Sequence, residues 1–344
     1  MNLNRRQFVR QTARAALAAG SWGALSAPGK SQEAKPSGKR LDLPIIDTHQ
    51  HLWDLSKLRL PWLSGAGKLN KSHVTKDYLE AIRGLSVAQA VYMEVDVDLP
   101  QQLAEAEYVL ELCQRKDNPT CAAVISGRPA AAGFREYITR FKGSPYIKGI
   151  RHIPRAEEIQ QGLWAKKEFI QGIRLLGDLG MSVDLCMPPS ELPSAAKLVD
   201  ACPGTRFILD HCGNADPKAF RRKQGAGEKP EPPRHGPGQW WRDIATLAQR
   251  KQVVCKISGI VASAPEGWTP EDLAPIINRC IDVFGPDRVM FASDWPVCTR
   301  MATLRQWVEA LLTVIGGRLE ALQRKLLHDN AMQFYGLAQK AWVR

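Results

Sequence analysis

The chain has 344 residues, 44% of them apolar and 24% charged, which excludes a disordered protein, a collagen-like fibre and a small disulfide-stapled scaffold. Of the formal net charge of +12, the first 40 residues carry seven, with eight Lys or Arg set against the single acid Glu33. The basicity thus belongs to a leader, the body has no long Lys/Arg run, and nucleic-acid binding loses its main support.

In that leader, Asn4-Arg5-Arg6-Gln7-Phe8-Val9-Arg10 precedes an Ala/Leu-rich stretch at 15–27 and then a spacer of Lys, Ser, Pro and Gly. Twin arginines, a short apolar core and small residues around Ala24-Leu25-Ser26-Ala27 resemble a removable signal of the twin-arginine export pathway. The apolar stretch falls short of the roughly 20 residues a bilayer span requires, so no stable membrane insertion is expected. Residues 1–40 are therefore read as signal and spacer, 41–344 as one folded domain, and the periplasm as its location.

From residue 41 onward, short β-branched runs alternate with helix-period segments. The predicted order is strand 44–48, helix 75–85, strand 88–94, helix 100–115, strand 121–126, helix 131–141, strand 147–152 and helix 166–179. Strand 182–186, helix 191–200, strand 206–211, helix 240–250, strand 253–258, helix 270–284 and strand 288–293 follow, with amphipathic stretches at 304–315 and 318–328. Continuous rather than alternating apolar runs call for a parallel sheet covered on both faces. Eight such units predict an α/β fold closed as a (β/α)8 TIM barrel, a single domain with long rim loops. An open doubly wound sheet is the alternative, but Gly65-Ala66-Gly67 follows no strand and makes a poor phosphate loop. Two long loops, 52–73 with Trp53 and Trp62 and 214–239 rich in Lys, Arg, Pro and Gly, follow strand ends and should overhang the mouth. The eight cysteines are scattered without a CxxC, several of them inside apolar runs, which favours buried thiols over disulfides.

Side chains two apart on a strand share a face, so Asp47, His49 and His51 are expected on one side of the first strand. The two histidines then stand about 6.6 Å apart at Cα, within reach of one ion, and neutral imidazole is a good ligand for zinc and similar metals. His211 ends the sixth strand and Asp294 the eighth, which closure makes a neighbour of the first. Three imidazoles and a carboxylate should converge at the rim where barrel enzymes work. On this reading His49, His51, His211 and Asp294 hold one divalent metal ion, zinc being the expected one. Asp294 also carries the proton, with His211 as the second catalytic group. Arg151, His152, Lys256 and Trp295 are the substrate-binding candidates, although Arg151 and His152 are adjacent and cannot both point inward unless the strand end curls. Glu94 and Asp96 read as solvated rim carboxylates, and His73, His235 and His328 as packing or surface residues.

Taken together, several motifs are specific: Ile46-Asp47-Thr48-His49-Gln50-His51, Gly149-Ile150-Arg151-His152, Leu209-Asp210-His211-Cys212-Gly213, Cys255-Lys256-Ile257-Ser258-Gly259 and Ala292-Ser293-Asp294-Trp295-Pro296. With them and the closing segment 329–335, the chain resembles the amidohydrolase superfamily, in its amidohydrolase-2 branch of L-fuconolactonase-like and L-rhamnonolactonase-like hydrolases. The resemblance spans 43–337 and implies a distorted barrel with a metal, or its former site, between the histidine pair and Asp294. Strand five has no terminal His, and Lys148 lies about 13 Å down strand four from His152, so one ion rather than two is expected. The implied activity is opening of a lactone of a sugar acid by activated water, on a small-molecule substrate. A metal-independent lactonase and a non-oxidative decarboxylase on the same scaffold are alternatives, and a periplasmic binding protein without chemistry is the least expected. No feature of the sequence bears on oligomeric state.

Overall fold

Eight strands, β1 (Ile45–Gln50), β2 (Val87–Met93), β3 (Thr120–Ser126), β4 (Ile147–His152), β5 (Ser182–Leu185), β6 (Arg206–Leu209), β7 (Val253–Ile257) and β8 (Val289–Phe291), form one parallel sheet in chain order. The computed structural model describes residues 43–221 and 232–340; the leader, on which the export reading rests, lies outside the described residues. The two ends of the sheet meet just beyond β8. There the Asp294 N–H donates to the His49 carbonyl at 2.9 Å and the His51 N–H to the Trp295 carbonyl at 2.8 Å. This seam closes the predicted (β/α)8 barrel at its rim, through the segment that carries Asp294.

The apolar runs explain the closure. Ile46, Val91, Met93, Val124, Ile208 and Met290 fill the barrel interior, joined by Ala331 and Tyr335 from the C-terminal helix Asn330–Tyr335. The opposite faces of the strands pack in a larger cluster against the surrounding helices, at roughly 1.5–3 kcal/mol for each large side chain buried. Helix starts follow local chemistry. Thr269 and Asp272 form a capping box with Pro270 at the first turn of Pro270–Phe284, and Thr303 with Gln306 does the same for Leu304–Ile315.

The predicted helix at 318–328 is instead Glu320–Arg324 followed by a π turn, Lys325–Asp329. The wide turn lets the buried Asn330 amide donate to the Pro286 and Val289 carbonyls at the end of the barrel. A short helix, Ala156–Gln160, goes unseen in the periodicity because five residues barely make a turn. All eight cysteines are free thiols, six of them buried. Among the described residues no helix is long and apolar enough to cross a membrane.

Candidate active site

The β1–β2 register shifts between Asp47 and Gln50, so Asp47 does not share a face with the histidines as parity suggested. Its carboxylate accepts from the Tyr78 hydroxyl at 2.8 Å and the Ser293 N–H at 2.8 Å, tying β1 to the turn that carries Asp294. Beyond the shift, the His49 and His51 Nε2 atoms stand 3.1 Å apart. Asp294 Oδ1 lies 3.4 Å from His51 Nε2, 3.7 Å from His49 Nε2 and 4.0 Å from His211 Nε2. Donors bound tetrahedrally at about 2.1 Å sit about 3.4 Å from one another, so the His49, His51 and Asp294 atoms suit one ion of zinc's size, with His211 at the edge of that cluster.

The His51 tautomer supports the same fit. His51 Nδ1 lies 3.0 Å from the Met93 carbonyl, which can only accept, so Nδ1 carries the proton and Nε2 offers a lone pair. His49 Nδ1 stands 3.4 Å from Asp210 Oδ1 and 3.5 Å from Lys256 Nζ, and its Nε2 faces an Arg151 N–H at 3.2 Å. Burial holds the His49 pKa well below the ordinary value; Lys256 and His211 push it further down and Asp210 opposes them. The ring is therefore neutral, as a ligand must be. Burial would raise the Asp294 pKa, but His211, His51 and His49 outweigh it and hold the carboxyl below the usual range.

His211 reaches this cluster through unusual backbone. His211, Cys212, Gly213 and Asn214 all adopt positive φ, a left-handed turn that costs roughly 1–2 kcal/mol per non-glycine residue. Surrounding bonds hold it: Trp240 Nε1 donates to the Cys212 carbonyl at 3.0 Å, and Asn214 Nδ2 to the Met187 carbonyl at 2.9 Å. The Ser258 hydroxyl lies 3.0 Å from His211 Nδ1, leaving Nε2 facing Asp294. The ring lies against Gly259, itself at φ +69°, where an added Cβ would sit 2.5 Å from the imidazole.

A buried ionic layer underlies the site. Arg151 donates through Nε to Glu94 Oε1 at 2.7 Å and through Nη2 to the Glu94 carbonyl at 2.7 Å. Lys256 Nζ donates to Asp184 and stands 3.2 Å from Asp210, at ion-pair distance. Burial lifts Asp184 to about 8, whereas Lys256 and His49 overcome burial and hold Asp210 well below the usual range. In this layer the cations Arg151 and Lys256 face the carboxyl groups of Glu94, Asp184 and Asp210.

Above this layer opens a cavity of about 360 Å³, with His51, Arg151, His211 and Asp294 among its lining residues and Trp62, Asn214, Arg234 and Arg300 contributed by loops. The structure brings His49, His51, His211 and Asp294 together. Three of the substrate-binding expectations need correction. His152 faces away from the cavity, against Phe169 and 3.3 Å from Glu158, because its parity is opposite to that of Arg151. Lys256 is fully buried beneath the floor, and Trp295 is enclosed between His73 and Tyr78; neither lines the cavity. Trp62 is the tryptophan that does, its indole N–H held by the Val95 carbonyl at 2.8 Å. Glu94 and Asp96 are buried ion-pair partners rather than solvated carboxylates. Asp210 and Gly259 went unassigned from sequence. Carboxylates inside otherwise apolar strands, Asp184 and Asp210 opposite Lys256, were the available signal, since such charges stay buried only when paired.

A family model described as Amidohydrolase matches residues 46–337. An L-fucono-1,5-lactonase of Burkholderia multivorans is 28% identical over 307 residues, covering 87% of this chain and 98% of that protein. An L-rhamnono-gamma-lactonase of Scheffersomyces stipitis is 21% identical, covering 85% and 98%. Among solved structures, an amidohydrolase from Burkholderia multivorans with bound zinc superposes with a TM-score of 0.74 at 22% identity, over 86% of this chain and all of the other.

Proposed function

The chain belongs to the amidohydrolase family, and from that premise we propose that it is a metal-dependent hydrolase that opens the ring of a lactone of a sugar acid. One observation carries the reading: two imidazoles and a carboxylate from distant points of the chain, with His211 beside them, converge at a cavity floor with spacings that suit one ion. The lactonases among its relatives support the substrate class, and the zinc-bound neighbour supports zinc as the ion.

In this mechanism His49, His51 and Asp294 would hold the ion, with His211 completing the set. Lewis acidity is what such an ion supplies, lowering a water's pKa from about 15.7 towards 7 or polarising a carbonyl. Asp294, kept ionised by the imidazoles around it, takes the attacking water's proton and returns it to the ring oxygen as the ester bond breaks. Arg151, locked by Glu94, offers a fixed guanidinium edge to the oxyanion or to a substrate hydroxyl. Closed ionic pairing below the floor lets these charges keep their positions without solvent.

The test is a panel of aldonolactones with a pH-indicator readout, run on wild type and on Asp294→Asn. Acid release by wild type, and a loss of about 10²–10⁴-fold in kcat by the variant with ligand binding retained, is the expected result. Equal turnover by the variant would sink the mechanism. The Arg5-Arg6 leader further supports the proposal that the enzyme is exported by a twin-arginine route.

A further inference from the structure

We propose that the substrate is a lactone bearing a carboxylate away from the reacting ester, and that Arg300, with Arg234 lining the same cavity, holds it at the mouth. This rests on the lactonase reading of the site and adds the charge of the substrate to it.

The cavity's charges can be balanced one by one. Asp96 is neutralised by Arg128 at 3.3 Å and Arg155 at 3.1 Å. Arg151 belongs to Glu94. Asp294 is committed to the imidazoles. Arg234 leans on Asp216, 3.4 Å from its Nε, but its side chain remains 53% exposed. Arg300 is different: among the described residues no carboxylate comes within 4.0 Å of its guanidinium, and its own carbonyl accepts from Lys68 Nζ at 3.2 Å, which adds a second positive charge. The mouth is therefore left positive over walls that include Trp62, Val95 and Val297, and a low-dielectric rim of this kind focuses the field on an incoming anion. A planar guanidinium matches a carboxylate with two parallel hydrogen bonds, while a neutral polyol gains much less from it.

Position argues the same way. Arg300 ends the 3-10 turn Val297–Arg300, which begins three residues after Asp294. The turn is tied back by the Cys298 N–H donating to the Asp294 carbonyl at 2.9 Å and the Ala302 N–H donating to the Cys298 carbonyl at 3.0 Å. An anion on Arg300 is thus registered against Asp294 by one short, internally bonded segment. At about 360 Å³ the cavity suits a single small ring with its substituents.

The experiment measures binding of two open-chain acids by calorimetry, gluconate with one carboxylate and glucarate with two, alongside turnover of glucono-1,4-lactone and glucaro-1,4-lactone. Wild type is expected to bind glucarate at least about tenfold more tightly than gluconate, and Arg300→Gln to bring the two within about threefold. Equal affinity in wild type, or a preference that survives Arg300→Gln, overturns the proposal whatever the lactones do. A glucarate preference erased by Arg300→Gln supports it even if neither lactone opens; that outcome would remove the lactonase reading and leave the anion subsite standing.

Discussion

His211 reaches Asp294 and the β1 histidines only because residue 259 has no side chain. Gly259 sits at φ +69°, and a methyl group there would lie 2.5 Å from the imidazole, so Gly259→Ala must both strain the backbone and push the ring away. The variant is expected to lose about 1–3 kcal/mol of stability, measured by denaturant unfolding, and at least about a hundredfold in kcat. Wild-type turnover in a folded variant would show that the ring's position is not set there. The convergence of His49, His51, His211 and Asp294 was legible in sequence because ligating residue types stood at the ends of strands. Gly259 was not, because its role is a contact with His211, 48 positions away. Arg151 against His152 could be posed as a choice but not decided, since a shift like the one at Asp47 can reverse a strand's parity, and here the shift in β4 falls before Gly149, leaving Arg151 and His152 in strict alternation.

The helix Gln102–Gln114 packs on β3 and buries Glu105 completely. One Glu105 oxygen accepts from the Val95 N–H at 2.7 Å and the Tyr92 hydroxyl at 3.0 Å, and burial, helped by Glu94, raises its pKa to about 8. Below about 4.5 the group is neutral in folded and unfolded chains alike, and its folded-state contribution is fully present. Between about 4.5 and 8 the unfolded chain ionises while the folded one stays protonated, so stability falls as pH rises. Glu105→Gln keeps the acceptor and removes the titration. Its stability relative to wild type, followed by urea unfolding, is expected to climb across that window by at most about 5 kcal/mol. A difference that stays flat with pH would contradict the burial argument. At this scale the sequence was informative where periodicity was long: the helix at 270–284 appears as Pro270–Phe284 and the strand at 147–152 as Ile147–His152. It was weaker where tertiary bonds end an element. β8 stops at Phe291, before the Ser293–Asp294 turn that Asp47 anchors.

For the molecule as a whole, alternation of eight apolar runs with helices was enough to foresee a closed barrel, because a two-faced parallel sheet of that size has to bury both sides. The seam itself, with Asp294 bonded to the His49 backbone, depends on a register that no local pattern states. Export belongs to this scale too: Arg5→Lys with Arg6→Lys is expected to retain the protein in the cytoplasm, read by cell fractionation, and unchanged periplasmic recovery would refute a twin-arginine route. The central claim is that donors from β1 and from the ends of β6 and β8 hold one divalent ion on which lactone opening depends. Its most direct test is elemental analysis paired with turnover, before and after chelation and on returning zinc. About one equivalent of metal per chain is expected, lost together with activity, regained with it, and absent from His49→Ala/His51→Ala. Full lactone opening by wild-type protein holding less than about a tenth of an equivalent would contradict the account.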